Sequence, residues 1–285
     1  MQFNKSSIWI FEKLFAVVFL SIFCTFFTYK RMMTVHAETH YTAELAKKNV
    51  GFDPETGRLE IPYGFTEIDD SVFSHRQDIK RVVIPNSVTK IGELAFMDCQ
   101  SLKEVTLPES LEFIGVMAFD SCTSLEKIVI PDKVKDIDRV FGECESLKEV
   151  VLPKGLKNID TGAFAFCRGL EQVNIPNGVK TIRGSAFLCC ALEDITIPGS
   201  VNHIGYNAFS CKSLKEVNIS DTYLNIKVMD DYKQIYVGQP GTLVIHPKAF
   251  QDSKGNINIG NKTFTIDEFI NLYSADYPTY HTYWG

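Results

Sequence analysis

Cysteine is the residue whose spacing in this chain most invites a chemical reading. Cys99, Cys122, Cys144, Cys167, Cys190 and Cys211 recur at intervals of 21 to 23 residues. Thiols in such a series could cross-link, ligate a metal or act as nucleophiles. Zinc needs close-set Cys and His ligands, and no His stands at zinc spacing from the Cys189-Cys190 pair. Stacked strands about 4.8 Å apart would bring successive thiols within bridging distance. Thiols repeated in register point along one common vector, however, which does not suit a disulfide dihedral of about 90°. With Cys24 set aside in an apolar N-terminal run, seven of the eight cysteines remain, an odd number. The pattern predicts a structural ladder of reduced, buried thiols used as small apolar side chains.

Other reactive residues do not gather. His36, His40, His75, His203, His246 and His281 share no repeat position. A nucleophile elbow, a phosphate-binding Gly-Lys-Ser/Thr and a dinucleotide fingerprint are all absent from the sequence. We therefore expect no enzyme, no cofactor and no metal. The formal charge is -6. Residues 1–37 hold four basic residues and one acidic residue, so the remainder carries 25 basic against 34 acidic side chains. Such a surface repels polyphosphate, which argues against nucleic acid and against anionic membrane surfaces as partners.

The thiols ride on a longer rhythm. Pro62, Pro85, Pro108, Pro131, Pro153, Pro176 and Pro198 lie 22 or 23 residues apart, and Phe73, Phe96, Phe119, Phe141, Phe164, Phe187 and Phe209 keep the same beat. A period of this length marks a solenoid whose units bury their apolar faces only by stacking. In one unit, Val105 and Leu107 alternate as on a half-buried strand. Pro108 lacks the N–H needed to extend it. Leu111 and Ile114 turn inward again, and Gly115 is expected to turn the chain with a positive φ. Ala118 and Phe119 then pair a small with a large side chain, which favours interdigitation.

This pattern resembles the leucine-rich repeats of the BspA-like bacterial surface proteins over residues 59–220. The carrying signals are Ile-Pro or Leu-Pro, then Ile-Gly, then Ala-Phe, in register many times. Asp138, Asp160 and Arg183 stand where Gly92, Gly115 and Gly205 stand in other repeats, and Val140 replaces the usual Ala. The resemblance implies a β-rich repeat solenoid of stacked parallel strands with short turns and helical pieces. It also implies a secreted or surface-exposed protein associated with adhesion to host matrix, other cells or mucosal surfaces.

The flanks read differently. Residues 1–37 contain an apolar run from Leu14 to Phe27 behind Lys5 and Lys13, with small residues at Val35 and Ala37. This predicts a signal peptide cut before Glu38, or an uncleaved anchor over residues 8–29. Either places the protein outside the cytoplasm, with membrane contact only through this segment. Residues 38–58 are expected to form an N-terminal cap, with a short helix near Thr42–Lys48. Residues 221–285 are expected to form a divergent last repeat and a C-terminal cap. They include a helix near Thr265–Tyr273 and an aromatic tail of Tyr277, Tyr280, Tyr283 and Trp284.

A binding surface is the remaining function. Outward strand positions form two columns, one charged (Arg81, Glu104, Lys127, Glu149) and one containing Val129 and Val151. Opposite charges along the first column can simply support the sheet. If a partner docks, Lys127, Val129, Glu149 and Val151 are the candidates, together with Phe113 as an exposed aromatic. The expected partner is an extracellular protein of a host matrix or another cell surface. Two other readings stand beside adhesion: a self-associating envelope component, and carbohydrate binding through the aromatic tail.

Overall fold

The computed structural model describes residues 39–220, 222, 225–228 and 242–274. Their chain winds into a solenoid in which most coils contribute two short strands. The first strand of each coil joins a parallel sheet running Arg58–Glu60, Arg81–Val83, Glu104–Thr106, Lys127–Val129, Glu149–Val151 and Gln172–Val173. After an interruption it resumes as Asp194–Ile197, Glu216–Ile219 and Asn256–Ile259. Val82, Val105, Ile128 and Val150 point inward from these strands, while the residues before them are exposed. This is the alternation that the sequence predicts.

The second strand builds the opposite wall. His40–Tyr41, Glu67–Ile68, Lys90–Ile91 and Phe113–Ile114 pair in parallel, and so do Asn158–Ile159, Thr181–Ile182 and His203–Ile204. Between the two groups the coil around Ile137 forms no strand, although Ile137 stays buried. A glycine feature explains where pairing is tight. A Cβ on Gly115 would lie 2.5 Å from the Gly92 carbonyl carbon, and one on Gly92 would lie 2.6 Å from the Asp70 nitrogen. Coils approach too closely there for a side chain, whereas Asp160 and Arg183 stand at the equivalent position of later coils whose strands Asn158–Ile159 and Thr181–Ile182 still pair. Gly115 is thus selected by close approach and not by a positive φ, contrary to the sequence expectation. The left-handed turns lie further on, at Leu94, Met117, Arg139, Gly162, Ser185 and Asn207, with φ between 48° and 65°.

The core is a column of rings. Phe73, Phe96, Phe119, Phe141, Phe164, Phe187, Phe209 and Phe250 stack with centroids 5.0–5.8 Å apart. Offset aromatic pairs at this separation contribute roughly 0.5–1.5 kcal/mol each beyond burial. The six ladder cysteines flank the column, free and buried, while Cys189 is exposed. Each ladder thiol also donates to a phenylalanine carbonyl of the preceding coil: Cys99 to Phe73, Cys122 to Phe96, Cys144 to Phe119, at 3.1–3.2 Å. Cys167, Cys190 and Cys211 repeat the contact at 3.0–3.2 Å. The side chain must be small and must also satisfy a buried acceptor, which alanine cannot do. At the last coil Ser253 takes over, donating to the Phe209 carbonyl at 3.1 Å.

Both ends are closed. Tyr41 caps the ring column against Phe65 and Phe73 at 5.3 and 5.2 Å, and its hydroxyl donates to the Val50 carbonyl. Helix α1 (Ala43–Lys47) follows, with Thr42 at the N-cap position but without a capping side-chain bond. Phe52–Asp53 pairs antiparallel with Arg58–Glu60 and covers that edge. At the far end Lys262–Thr265 pairs antiparallel with Asn256–Ile259. Helix α2 (Ile266–Ser274) begins in a capping box, in which the Glu268 carboxylate accepts from Thr265 N and Thr265 Oγ1 accepts from Glu268 N.

Candidate functional site

The outer face of the first sheet carries the candidate site because its strands display alternate residues in straight columns. Lys127 and Glu149 are register partners, as are Val129 and Val151. Four of the residues singled out from the sequence thus lie side by side in two adjacent coils. Lys127 Nζ and Glu149 Oε1 form an ion pair at 2.6 Å, and Arg81 and Glu104 form another at 2.7 Å. All four side chains are about half exposed, so these pairs are worth at most ~1 kcal/mol each. Val129 and Val151 remain 48% and 43% exposed, an apolar step amid charge.

Phe113 is not part of this group. It lies on the second sheet, paired in register with Lys90, and is exposed there at 47%. In the sequence it stands on the second stretch of its unit as an exposed aromatic, separate from the first-strand columns. Tyr277, Tyr280, Tyr283 and Trp284 lie outside the described residues, as does the apolar N-terminal segment. Among the described residues no helix is long and apolar enough to cross a membrane.

A shallow depression of about 980 Å³ occupies the N-terminal half of the first-sheet face. Arg58, Lys80 and Lys103 line it together with Glu104, Glu126, Lys127 and Val129. Of these, Arg58, Lys80, Lys103 and Glu126 were not singled out from the sequence. Arg58 continues the charged column as the register partner of Arg81, the other three stand one residue before that column, and their common face shows only once the coils are stacked.

The titratable groups in the core are not poised for chemistry. Burial pushes the Cys99 and Cys211 thiols up to about 12, and Cys122, Cys144, Cys167 and Cys190 well above their ordinary value. Thiols held protonated in this way are poor nucleophiles and poor metal ligands. Among the described residues no cluster of His, Cys, Asp or Glu has the geometry to hold a metal. What the exposed face offers is a rigid, patterned surface for non-covalent binding.

Comparison with known proteins follows the same line. A family model for the BspA-type leucine-rich repeat region, in six copies, matches residues 66–139 and 137–255. A leucine-rich cell surface protein from Faecalibacterium prausnitzii is 36% identical over 59% of this chain and 48% of its own, with a TM-score of 0.55. The chain therefore spans about half the length of that structure. The leucine-rich repeat protein of T. pallidum is 31% identical over 52% of this chain and 72% of its own, with a TM-score of 0.47. No curated protein matches the chain.

Proposed function

Because the chain belongs to the BspA-type leucine-rich repeat family, we propose that it is an exported, cell-surface protein whose first-sheet face binds other proteins in adhesion. The observation that carries this reading is the juxtaposition of Lys127, Val129, Glu149 and Val151 on one exposed face of a rigid solenoid. An apolar centre within a polar rim is the usual anatomy of a protein interface. A pre-formed sheet also loses little conformational entropy on binding. The similarity to a bacterial cell surface protein supports the location, and the apolar run ahead of Glu38 supports export.

The test uses the purified chain against immobilised matrix proteins and intact host cells. Saturable binding should be lost in Lys127→Glu and in Glu149→Lys singly. The double exchange keeps the ion pair and the fold, yet should also lose binding because the pattern presented to the partner is reversed. Absence of saturable binding to any cell or matrix fraction would count against the reading.

A further inference from the structure

Charge on the first-sheet face is sorted along the solenoid axis. At the exposed positions flanking the buried strand residue, two before it and one after, the first four coils place Arg58, Lys80, Arg81, Lys103 and Lys127 against Glu60, Glu104 and Glu126. The next four place Glu149, Glu171, Glu193, Asp194 and Glu216 against Lys148 and Lys215. All of these side chains are exposed. One half of the face is therefore two charges positive and the other three charges negative, although the face as a whole sums to only one negative charge. Ion pairs do not erase the asymmetry. Among the described residues, Lys80 and Lys103 at one end form no ion pair, and neither do Glu171, Asp194 and Glu216 at the other. The sign changes at the coils of Lys127 and Glu149, where Val129 and Val151 are exposed.

We propose that the partner of this face is a protein segment with an acidic stretch and a basic stretch in tandem, the acidic part lying over Lys80 and Lys103. This inference rests on the reading of the face as a protein-binding surface and adds the chemistry of what it binds. From the Arg81 coil to the Asp194 coil is five steps, about 24 Å at the usual strand spacing. Roughly seven or eight extended residues cover that distance, so one short segment reaches both poles. The two poles together fix direction as well as attraction, because a segment laid the wrong way meets like charge at both ends. The exposed valines give such a segment an uncharged point of contact between the poles. A second copy of this chain fits less well, since two bodies of net negative charge repel.

The test uses two labelled peptides of one composition, six Glu followed by six Lys, and Glu and Lys alternating. Fluorescence anisotropy against the whole chain at low ionic strength should show the block peptide binding about tenfold more tightly, the ratio that a few exposed pairs of modest strength supply. That preference should vanish at high salt and in Lys80→Glu/Lys103→Glu, and should persist in Lys90→Glu on the opposite wall. Equal binding of the two peptides would overturn the inference. If Val151→Arg still abolished binding to a matrix protein, the protein-binding reading would stand without it. Sedimentation showing that the face is covered by a second copy, released by Lys80→Glu/Lys103→Glu, would overturn it as well.

Discussion

Six buried thiols make the stability of this solenoid depend on alkaline pH in a way that can be counted. In the fold, burial keeps Cys99 and Cys211 protonated up to about 12 and the four between them protonated well above 9.0. In the unfolded chain the same thiols ionise around their ordinary value of 9.0. The native state therefore binds more protons above that value, and stability falls as pH rises. The contribution of the ladder is fully present below 9.0 and is lost as pH climbs towards the folded values. One unit above 9.0, each thiol costs about 1.4 kcal/mol, and six together cost about 8 kcal/mol. That is comparable to the whole stability of a typical domain, about 5–15 kcal/mol. Urea unfolding under reducing conditions, followed by far-UV circular dichroism from about pH 8 to about pH 10, should show a steep loss of midpoint. Cys144→Ala/Cys167→Ala should lower the starting stability but flatten the slope by two protons of six. A midpoint indifferent to pH over this range, or a slope unchanged in the double variant, would refute the reasoning.

Four further outcomes follow from particular positions. Gly115→Ala should destabilise by about 1–3 kcal/mol through overpacking against the Gly92 and Glu93 backbone, and Gly162→Ala by about 1 kcal/mol through its φ of +65°; chemical denaturation measures both. Phe141→Ala, in the middle of the ring column, should cost about 3–5 kcal/mol, read in the same assay. Burial raises the Asp160 carboxyl above its ordinary value, the Arg183 guanidinium opposes this, and Asp138 and Asp136 reinforce it. Its protonated form thus favours the fold below the ordinary value, and that benefit is lost as pH rises through the folded one. Asp160→Asn should melt higher than the parent at neutral pH, with the gap closing in acid.

Period made most of the architecture legible. Val105 and Leu107 gave the strand, Pro108 its end, and Phe119 the stacking ring, because a solenoid repeats one local solution in every coil. Beyond the regular repeats, Phe250 extends the ring column by stacking on Phe209. What escaped were relations between coils. Gly115 reads as a turn residue within its own unit, and only the approach of the neighbouring coil shows why it must be glycine. Ser253 sits three residues after Phe250, as Cys99 does after Phe96, but the lengthened connection after Ser220 hides the correspondence. The Cys-to-carbonyl bonds were illegible for the same reason, since donor and acceptor lie 24 to 26 residues apart. On the candidate face, Lys127, Val129, Glu149 and Val151 could be placed together because their spacing equals one repeat. Phe113 reads as an exposed aromatic on the second stretch of its unit, and the stacked coils put that stretch on the opposite wall. The polarity of the face went unread because its charges nearly cancel in sum.

The central claim is that the first-sheet wall, and not the opposite one, meets the partner. Surface plasmon resonance of Val151→Arg and Phe113→Arg against the same bound matrix or cell-surface protein separates the walls directly. Both positions are exposed, so both variants should retain the parent circular dichroism and melting. The account predicts that Val151→Arg abolishes binding while Phe113→Arg leaves it unchanged. Loss of binding in Phe113→Arg with full binding in Val151→Arg would contradict it.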